Sequence, residues 1–187
     1  ANDVVGGYKQ FVEEQKEVGE LTASMTLAQF DDQYEVVFTN TVLKDVSPTL
    51  TFVPRGWTAL FDAVGKTIAA TGERLAAYTE DQRPDKVVFV VFTDGEENAS
   101  KEYTVKQIKE MVKSQTETYK WRFLFLGANI DSFAVGKALG VQVGGTSNYV
   151  NTSAGVNAAY KGVSSYTASF RNASLPKDAL LSNFVTN

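Results

Sequence analysis

Two short, unbroken apolar runs constrain the fold of this 187-residue chain more than any other feature. The first is KVVFVVFT at 86–93 and the second is WRFLFLG at 121–127. Strands without polar alternation are typical of parallel sheets that helices cover on both faces. The first run stops abruptly at TDGEEN, so a cluster of acidic and polar residues stands where a buried strand is expected to end.

Segments with helical periodicity separate these strands. Apolar residues recur at helical spacing within 3–17, 59–79, 104–119 and 157–171, and a shorter helix is expected over 131–139. Strands alternating with helices predict an α/β fold built on a doubly wound, mostly parallel sheet with helices on both faces.

Weaker patterns predict the remaining strands. Segments 21–27 and 34–39 alternate apolar and polar residues on either side of the turn FDDQY, which predicts an antiparallel hairpin at one edge of the sheet. VQV at 141–143 predicts a short last strand, and the glycines of VGGTSN at 143–148 predict a loop.

Composition excludes several classes of function. The chain has no Cys and no His, which removes disulfides, thiolate nucleophiles, histidine bases and the usual zinc sites. A net charge of −4 with scattered Lys and Arg argues against a nucleic-acid surface. The spacing around Gly136 and Lys137 does not match a phosphate-binding loop, so no nucleotide is expected. Neither a signal peptide nor a membrane-spanning run is expected from the sequence.

Two polar segments are candidates for a binding site. DGEEN at 94–98 follows the apolar run, and RGWTALFDA at 55–63 places Gly56 and Thr58 just ahead of a helix. Taken singly, Thr58 is explained as a helix N-cap and Asp94–Gly95 as a turn. Taken together at the carboxyl ends of parallel strands, where α/β folds bind ligands, they indicate a cation site made of oxygen ligands.

GWTALFDA followed by the strand that ends in FTDGEEN resembles the von Willebrand factor A domain family. The segments NDVVGGYKQFVEEQ, FLGANIDSFAVGKALGV and NYVNTSAGVNAAYKGVS are similar to those of small stand-alone A domains from phages and bacteria. The resemblance implies an A-type domain over 1–145, with a C-terminal helix and tail at 146–187 packed on the same domain.

The resemblance also implies a metal-ion-dependent adhesion site that holds Mg²⁺ or Mn²⁺. Thr58 matches its second-loop ligand and Asp94 its third-loop ligand. The residues expected on the partner-binding rim around them are Gly56, Gly95, Glu96, Glu97 and Asn98.

The chain departs from the family in one respect. It contains neither the Asp-x-Ser-x-Ser loop that supplies the remaining ligands nor the first, central strand that precedes that loop. We therefore expect no direct pairing between 21–30 and 86–93, with the two strands about two strand spacings, roughly 10 Å, apart. The missing loop would also leave the cation weakly held or absent.

The expected function is a non-catalytic module that binds a protein partner at the carboxyl edge of its sheet, with a bridging Mg²⁺ as one means. The alternative is a phage virion protein that uses the fold as a structural or scaffold unit and retains a vestigial metal site. The expected partners are proteins, including further copies of the chain or virion proteins, and not nucleic acid, nucleotide or membrane. The expected location is cytoplasmic or virion-associated.

Overall fold

The computed structural model describes residues 2–19, 22–53 and 56–172. These residues form a mixed α/β structure, as predicted. Its helices and strands are α1 (Asn2–Lys16), β1 (Ser24–Phe30), β2 (Tyr34–Val42), α2 (Leu60–Ala76), β3 (Val88–Thr93), α3 (Val105–Tyr119), β4 (Arg122–Gly127), α4 (Ser132–Leu139), β5 (Thr146–Asn148) and α5 (Ser153–Arg171). The residues after Asn172, which include the predicted tail, lie outside the described part of the chain.

The strands form two separate sheets within the described residues. β3, β4 and β5 make a three-stranded parallel sheet with β4 in the middle, and β1 pairs with β2 as an antiparallel hairpin. The antiparallel pairing of the hairpin and the absence of direct pairing between its first strand and β3 agree with the sequence-based expectation. The hairpin does not, however, form an edge of the parallel sheet, because no strand of that sheet bonds to it among the described residues.

The prediction for the last strand was wrong. Strand β5 lies at Thr146–Asn148, inside the predicted glycine loop, where it pairs with Phe125–Gly127. The segment 141–143 instead follows Gly140, the C-cap of α4, and the Val141 N–H bonds back to the Gly136 carbonyl at 2.9 Å. Val141 packs partly buried against the core, whereas Val143 is 97% exposed, so the apolar pattern there does not mark a strand.

One face of the parallel sheet packs against α2, α3 and α4. The buried cluster on this face is made of Leu60, Val64, Ile68, Ile108, Val112, Trp121, Phe123, Phe125 and Leu139. Phe89 and Val91 of β3 pack against it from the sheet.

The opposite face packs against α5 and α1. Leu124 and Leu126 of β4 form a buried cluster there with Ala159 and Val163 of α5. Helix α5 begins earlier than the periodicity predicted because Thr152 caps it: its Oγ1 accepts the Gly155 N–H at 3.2 Å. Helices therefore cover both faces of the parallel sheet.

The expectation that 86–93 is buried on both faces needs correction. All of β4 is buried, whereas Val88–Phe92 of β3 are only partly buried. The difference arises because β4 has a strand on each side, while β3 pairs with β4 alone among the described residues. Within the same part of the chain, no helix is both long enough and apolar enough to cross a membrane.

Candidate functional site

The segment before α2 meets the loop after β3 at the carboxyl edge of the parallel sheet. The Thr58 N–H donates to Asn98 Oδ1 at 2.9 Å, and the Thr58 carbonyl accepts the N–H groups of Asn98 at 3.0 Å and Ala99 at 3.2 Å. A Cβ placed on Gly95 would stand 2.9 Å from Thr58 Oγ1. The two segments singled out from the sequence are thus neighbours, with the Thr58 hydroxyl against the residue that follows Asp94.

Thr58 is not the N-cap of α2. The N-cap position is Ala59, whose side chain makes no capping bond. Glu97 and Ser100 of the neighbouring loop take over that role: Glu97 Oε2 accepts the Phe61 N–H at 3.0 Å and Ser100 Oγ accepts the Asp62 N–H at 3.1 Å. The N-cap explanation of Thr58 was therefore wrong, and its hydroxyl is not used as the cap of this helix.

Glu97 makes contacts that tie the loop to α2. Besides Phe61, its carboxylate accepts the N–H groups of Ala99 at 3.0 Å and Ser100 at 2.8 Å, and the Ser100 hydroxyl at 2.7 Å. Four donors bond to this carboxylate, so Glu97 holds the loop against the start of α2. Its place on a partner-binding rim stays a prediction.

Asp62 of α2 also bonds to the loop after β3, and the sequence reasoning did not identify this residue as part of the site. Its buried carboxylate accepts the backbone N–H groups of Lys101 at 2.8 Å, Glu102 at 2.9 Å and Tyr103 at 2.8 Å. Burial alone would raise the pKa of Asp62, but these three donors and the nearby Lys66 charge outweigh it and lower that pKa. The sequence feature that could have identified Asp62 is its position as an acidic residue in the first turn of α2.

Asp94 stands exposed just after the end of β3, near a partly buried tyrosine, Tyr149. Thr93 shapes this turn, since its Oγ1 donates to the Gly95 carbonyl at 3.1 Å and accepts the Gly95 N–H at 3.4 Å. The Tyr149 hydroxyl donates to the Thr93 carbonyl at 3.2 Å. Burial raises the pKa of Tyr149 to about 12, and the Asp94 charge contributes to the shift. Tyr149 is therefore protonated at neutral pH and acts as a donor that fixes the end of the strand.

A cleft opens next to this loop. Its volume is about 230 Å³, and its wall is formed by the starts of α2 and α3, the loop Gly95–Glu97 and one side of α4. Most of the side chains that line it are apolar, among them Phe61, Ile130 and Leu139. The predicted rim residue Glu96 is exposed and contributes to the wall, whereas Gly56 and Asn98 are exposed and do not line the cleft.

Large apolar side chains are exposed at the same edge of the sheet. Trp57, beside Thr58, is 61% exposed, Phe133 in the first turn of α4 is 59% exposed and Val150 just after β5 is 68% exposed. All three are carried by segments that begin or end at the carboxyl ends of the strands. Sequence reasoning did not single out Trp57, Phe133 or Val150, because an apolar residue at a helix start or in a loop is not by itself a signal of exposure.

The oxygen ligands at this edge are of the type that a hard cation prefers, but there are few of them. Mg²⁺ and Mn²⁺ prefer oxygen ligands, and Thr58 and Asp94 supply a hydroxyl and a carboxylate. Among the described residues, no group of three or more Asp, Glu, His or Cys side chains is placed to hold a metal ion. Thr58 and Asp94 would thus supply only two ligands, and a cation bound there would need further oxygens from water or another segment.

Comparison with known proteins adds no relative: no protein-family model matches this chain, and no curated protein matches it. The resemblance to von Willebrand factor A domains therefore rests on the motifs and their order along the chain.

Proposed function

We propose that this chain is a non-catalytic protein-binding module of the von Willebrand factor A type, and that its carboxyl edge receives the partner. The observation that carries the proposal is the exposure of Trp57, Phe133 and Val150 at the edge of the sheet that also holds an apolar cleft. Exposed apolar patches mark interaction surfaces, and buried aromatic anchors contribute most of the binding energy at such surfaces.

The size of the cleft favours a protein partner over a small molecule. Sites for small ligands enclose about 300–1,000 Å³ and cover most of the ligand surface. A cleft of about 230 Å³ is smaller than that range and suits one or two side chains of a larger partner. The acidic Asp94 and Glu96 at its margin also disfavour nucleic acid, which binds to positively charged surfaces.

A bound Mg²⁺ or Mn²⁺ is proposed as a second element of the same surface. Thr58 and Asp94 would contribute two oxygen ligands, and a carboxylate of the partner would take one of the positions left to water. The support is the contact between Thr58 and the loop that carries Asp94, together with the match of both residues to the adhesion-site motif. The cation would supply a direct bond to an acidic partner group and no chemical step.

The α/β arrangement is proposed to be the doubly wound, Rossmann-like arrangement of that family. It is supported by parallel β3–β5, an antiparallel hairpin elsewhere in the structure, and helices on both faces. In such sheets ligands bind beyond the carboxyl ends of the strands, where Thr58 and Asp94 lie.

The test is capture of partners by the tagged chain from an extract of its source cells, with Mg²⁺ or with EDTA. The Trp57→Ala variant should fail to capture the partner both with Mg²⁺ and with EDTA, because the change removes an apolar side chain that the partner contacts. The Asp94→Ala variant should lose only the additional capture that Mg²⁺ produces. Tyr119→Ala is the matched control, since this 60% exposed aromatic residue ends α3 at the opposite edge of the sheet.

A protein retained equally by all three variants would contradict the proposal, because its binding would not use the carboxyl edge. Sedimentation of the purified chain tests self-association as the alternative assembly. Self-association that Trp57→Ala does not change would place that contact elsewhere on the surface.

A further inference from the structure

The charged residues that line the apolar cleft are all acidic. Glu96 and Glu97 come from the loop after β3, and Asp131 stands just before α4. Among the described residues no Lys or Arg lines the cleft, although Lys106 and Lys137 adjoin lining residues in the sequence. The cleft therefore combines an apolar wall with charges of one sign.

Two of these three carboxylates have oxygen atoms available for a partner. Glu97 already bonds to four donors of the protein itself. Glu96 is exposed and makes no hydrogen bond or ion pair with another described residue. Asp131 is also exposed, and its Oδ1 accepts the Ala134 N–H at 3.0 Å as the N-cap of α4. No group in the described part of the chain bonds to its Oδ2.

The remainder of the lining is apolar. Apart from one glycine, every other lining residue is aliphatic or aromatic. Leu60 and Leu139 are buried core residues, and Phe61 is partly buried beside them. Ala134 and Ala138 lie four residues apart and therefore share one face of α4. Because their side chains are small, they leave the space next to this face open.

This combination selects the type of partner side chain. A purely apolar side chain would cover Glu96 and Asp131 without pairing their charges, which costs free energy, and an acidic one would be repelled. A lysine presents a single compact ammonium group. An arginine has an aliphatic stem that packs on apolar surface and a planar guanidinium with five donors, which can bond to carboxylates on two segments at once.

We propose that the cleft receives an arginine side chain of the protein partner. Its stem would pack against Phe61 and Ala138, and its guanidinium would bond to Glu96 and Asp131. This inference rests on the proposed function, because it names one side chain of the partner that binds the carboxyl edge. It does not need a bound cation, since neither Thr58 nor Asp94 lines the cleft.

The test is a titration of the ¹⁵N-labelled full chain with a short glycine–serine peptide that carries one central arginine, with blocked ends and in the presence of EDTA. We expect the amide signals of Glu96, Ala134 and Ala138 to shift. The same peptide with citrulline keeps the shape of the side chain without its charge, and the peptide with norleucine keeps only an apolar chain. The arginine peptide should bind roughly fivefold more tightly than either, which is the effect expected of exposed ion pairs.

Two conservative variants assign the charge preference to the two carboxylates. Glu96→Gln and Asp131→Asn should each weaken binding of the arginine peptide by roughly two- to threefold and leave the citrulline peptide unchanged. Asparagine is also a good N-cap, so α4 keeps its cap in the second variant. Glu110→Gln, at an exposed position of α3 outside the cleft, is the matched control and should change neither affinity.

A further pair of variants tests the apolar wall. Ala138→Leu places a larger side chain in the cleft at an exposed helical position, so it should abolish binding of the arginine peptide while the fold is retained. Ser114→Leu adds the same side chain to an exposed position of α3 that does not line the cleft. It should bind the arginine peptide as the unmodified chain does.

Several results would overturn the arginine site. They are equal binding of the arginine and citrulline peptides, tighter binding of the norleucine peptide, and no binding of any peptide. A preference for arginine that both Glu96→Gln and Asp131→Asn leave intact would also overturn it, because the charge would then be read elsewhere.

Failure of the proposed function gives a different pattern. Trp57 does not line the cleft, so Trp57→Ala should bind the arginine peptide normally. Partner capture that Trp57→Ala abolishes, without a preference for arginine in the titration, would overturn the arginine site alone. A preference for arginine, together with partner capture that Trp57→Ala leaves unchanged, would support the arginine site and contradict only the proposed role of Trp57 and its surface.

Discussion

Asp62 and Glu97 form a reciprocal pair of carboxylate caps that joins α2 to the loop after β3. Each carboxylate accepts backbone N–H groups from the other segment or its neighbours, so neither segment can move without breaking several bonds. This pair holds Thr58 against Gly95 and sets the shape of the cleft wall. The acidic residues near the candidate site therefore divide into those that build it, Asp62 and Glu97, and those exposed on it, Asp94 and Glu96.

The lowered pKa of Asp62 predicts how stability changes with pH. A carboxyl whose pKa is lower in the folded state stabilises the fold fully above its ordinary pKa, which is 3.8 for an aspartate. We expect this contribution to decline as the pH falls below that value and to be lost below the lowered pKa of the folded state. Denaturant unfolding of Asp62→Asn between neutral and acid pH should show a smaller loss of stability in this window.

At neutral pH the same Asp62→Asn variant should be less stable by about 1–3 kcal/mol, because a neutral amide accepts the three N–H groups less well. Asp81→Asn, at an exposed acidic position before β3, is the matched control and should leave the acid profile unchanged. An Asp62→Asn profile that overlays the unmodified protein would show that this carboxylate does not stabilise the fold through its charge.

At the scale of elements, the contact between α1 and α5 depends on one of two adjacent glycines. A Cβ on Gly7 would stand 2.2 Å from the Tyr160 ring, whereas a Cβ on Gly6 would meet nothing within 4 Å. Tyr160 is also the side chain that stacks on Phe92 of β3. Gly7 therefore sets how closely the two helices approach each other and, through Tyr160, how they lie on the sheet.

Replacement of the two glycines by alanine should have opposite effects. Gly6→Ala should raise the free energy of unfolding by roughly 0.5–1 kcal/mol, because alanine favours the helix. Gly7→Ala should lower it by about 1–3 kcal/mol, since the new methyl displaces the Tyr160 ring. Thermal or denaturant unfolding of both variants measures the difference. Equal stabilisation by the two changes would contradict the close helix contact.

Elements with strong periodicity were predicted well from the sequence. β3 and β4 were recognised because helices pack on both faces of their sheet and favour apolar runs, although only β4 is buried along its whole length. β5 was not recognised because Thr146–Asn148 is short and polar, and only pairing with β4 makes it a strand. The local pattern of residues does not show which distant strand will pair with a segment. Short strands that depend on tertiary pairing therefore cannot be predicted from that pattern.

At the scale of the whole molecule, the sequence placed the polar residues at one edge but not the surface they form. The order of the motifs predicted that Thr58 and the loop after β3 are neighbours, and in the structure the two are in contact. The cleft and the exposed Phe133 and Val150 depend on where helix starts and loops meet in space. Those positions are set by packing of distant segments, so local sequence could not specify them.

The described residues form an α/β scaffold, and the candidate binding surface lies at the carboxyl edge of its parallel sheet. The exposed Trp57 and the loop with Asp94 lie on one edge of the parallel sheet. The cation is the simplest probe of that edge.

The most direct test of the proposed binding edge is a titration of the ¹⁵N-labelled chain with Mn²⁺. Paramagnetic broadening depends steeply on distance and reports even weak binding, which suits a site with only two ligands from the chain. We predict that the amide signals of Thr58, Gly95 and Glu96 broaden first, that excess Mg²⁺ restores them, and that Asp94→Ala abolishes the effect. Broadening that is strongest at another acidic segment, such as Glu80–Asp81, or that Asp94→Ala leaves unchanged, would contradict a cation site at this edge.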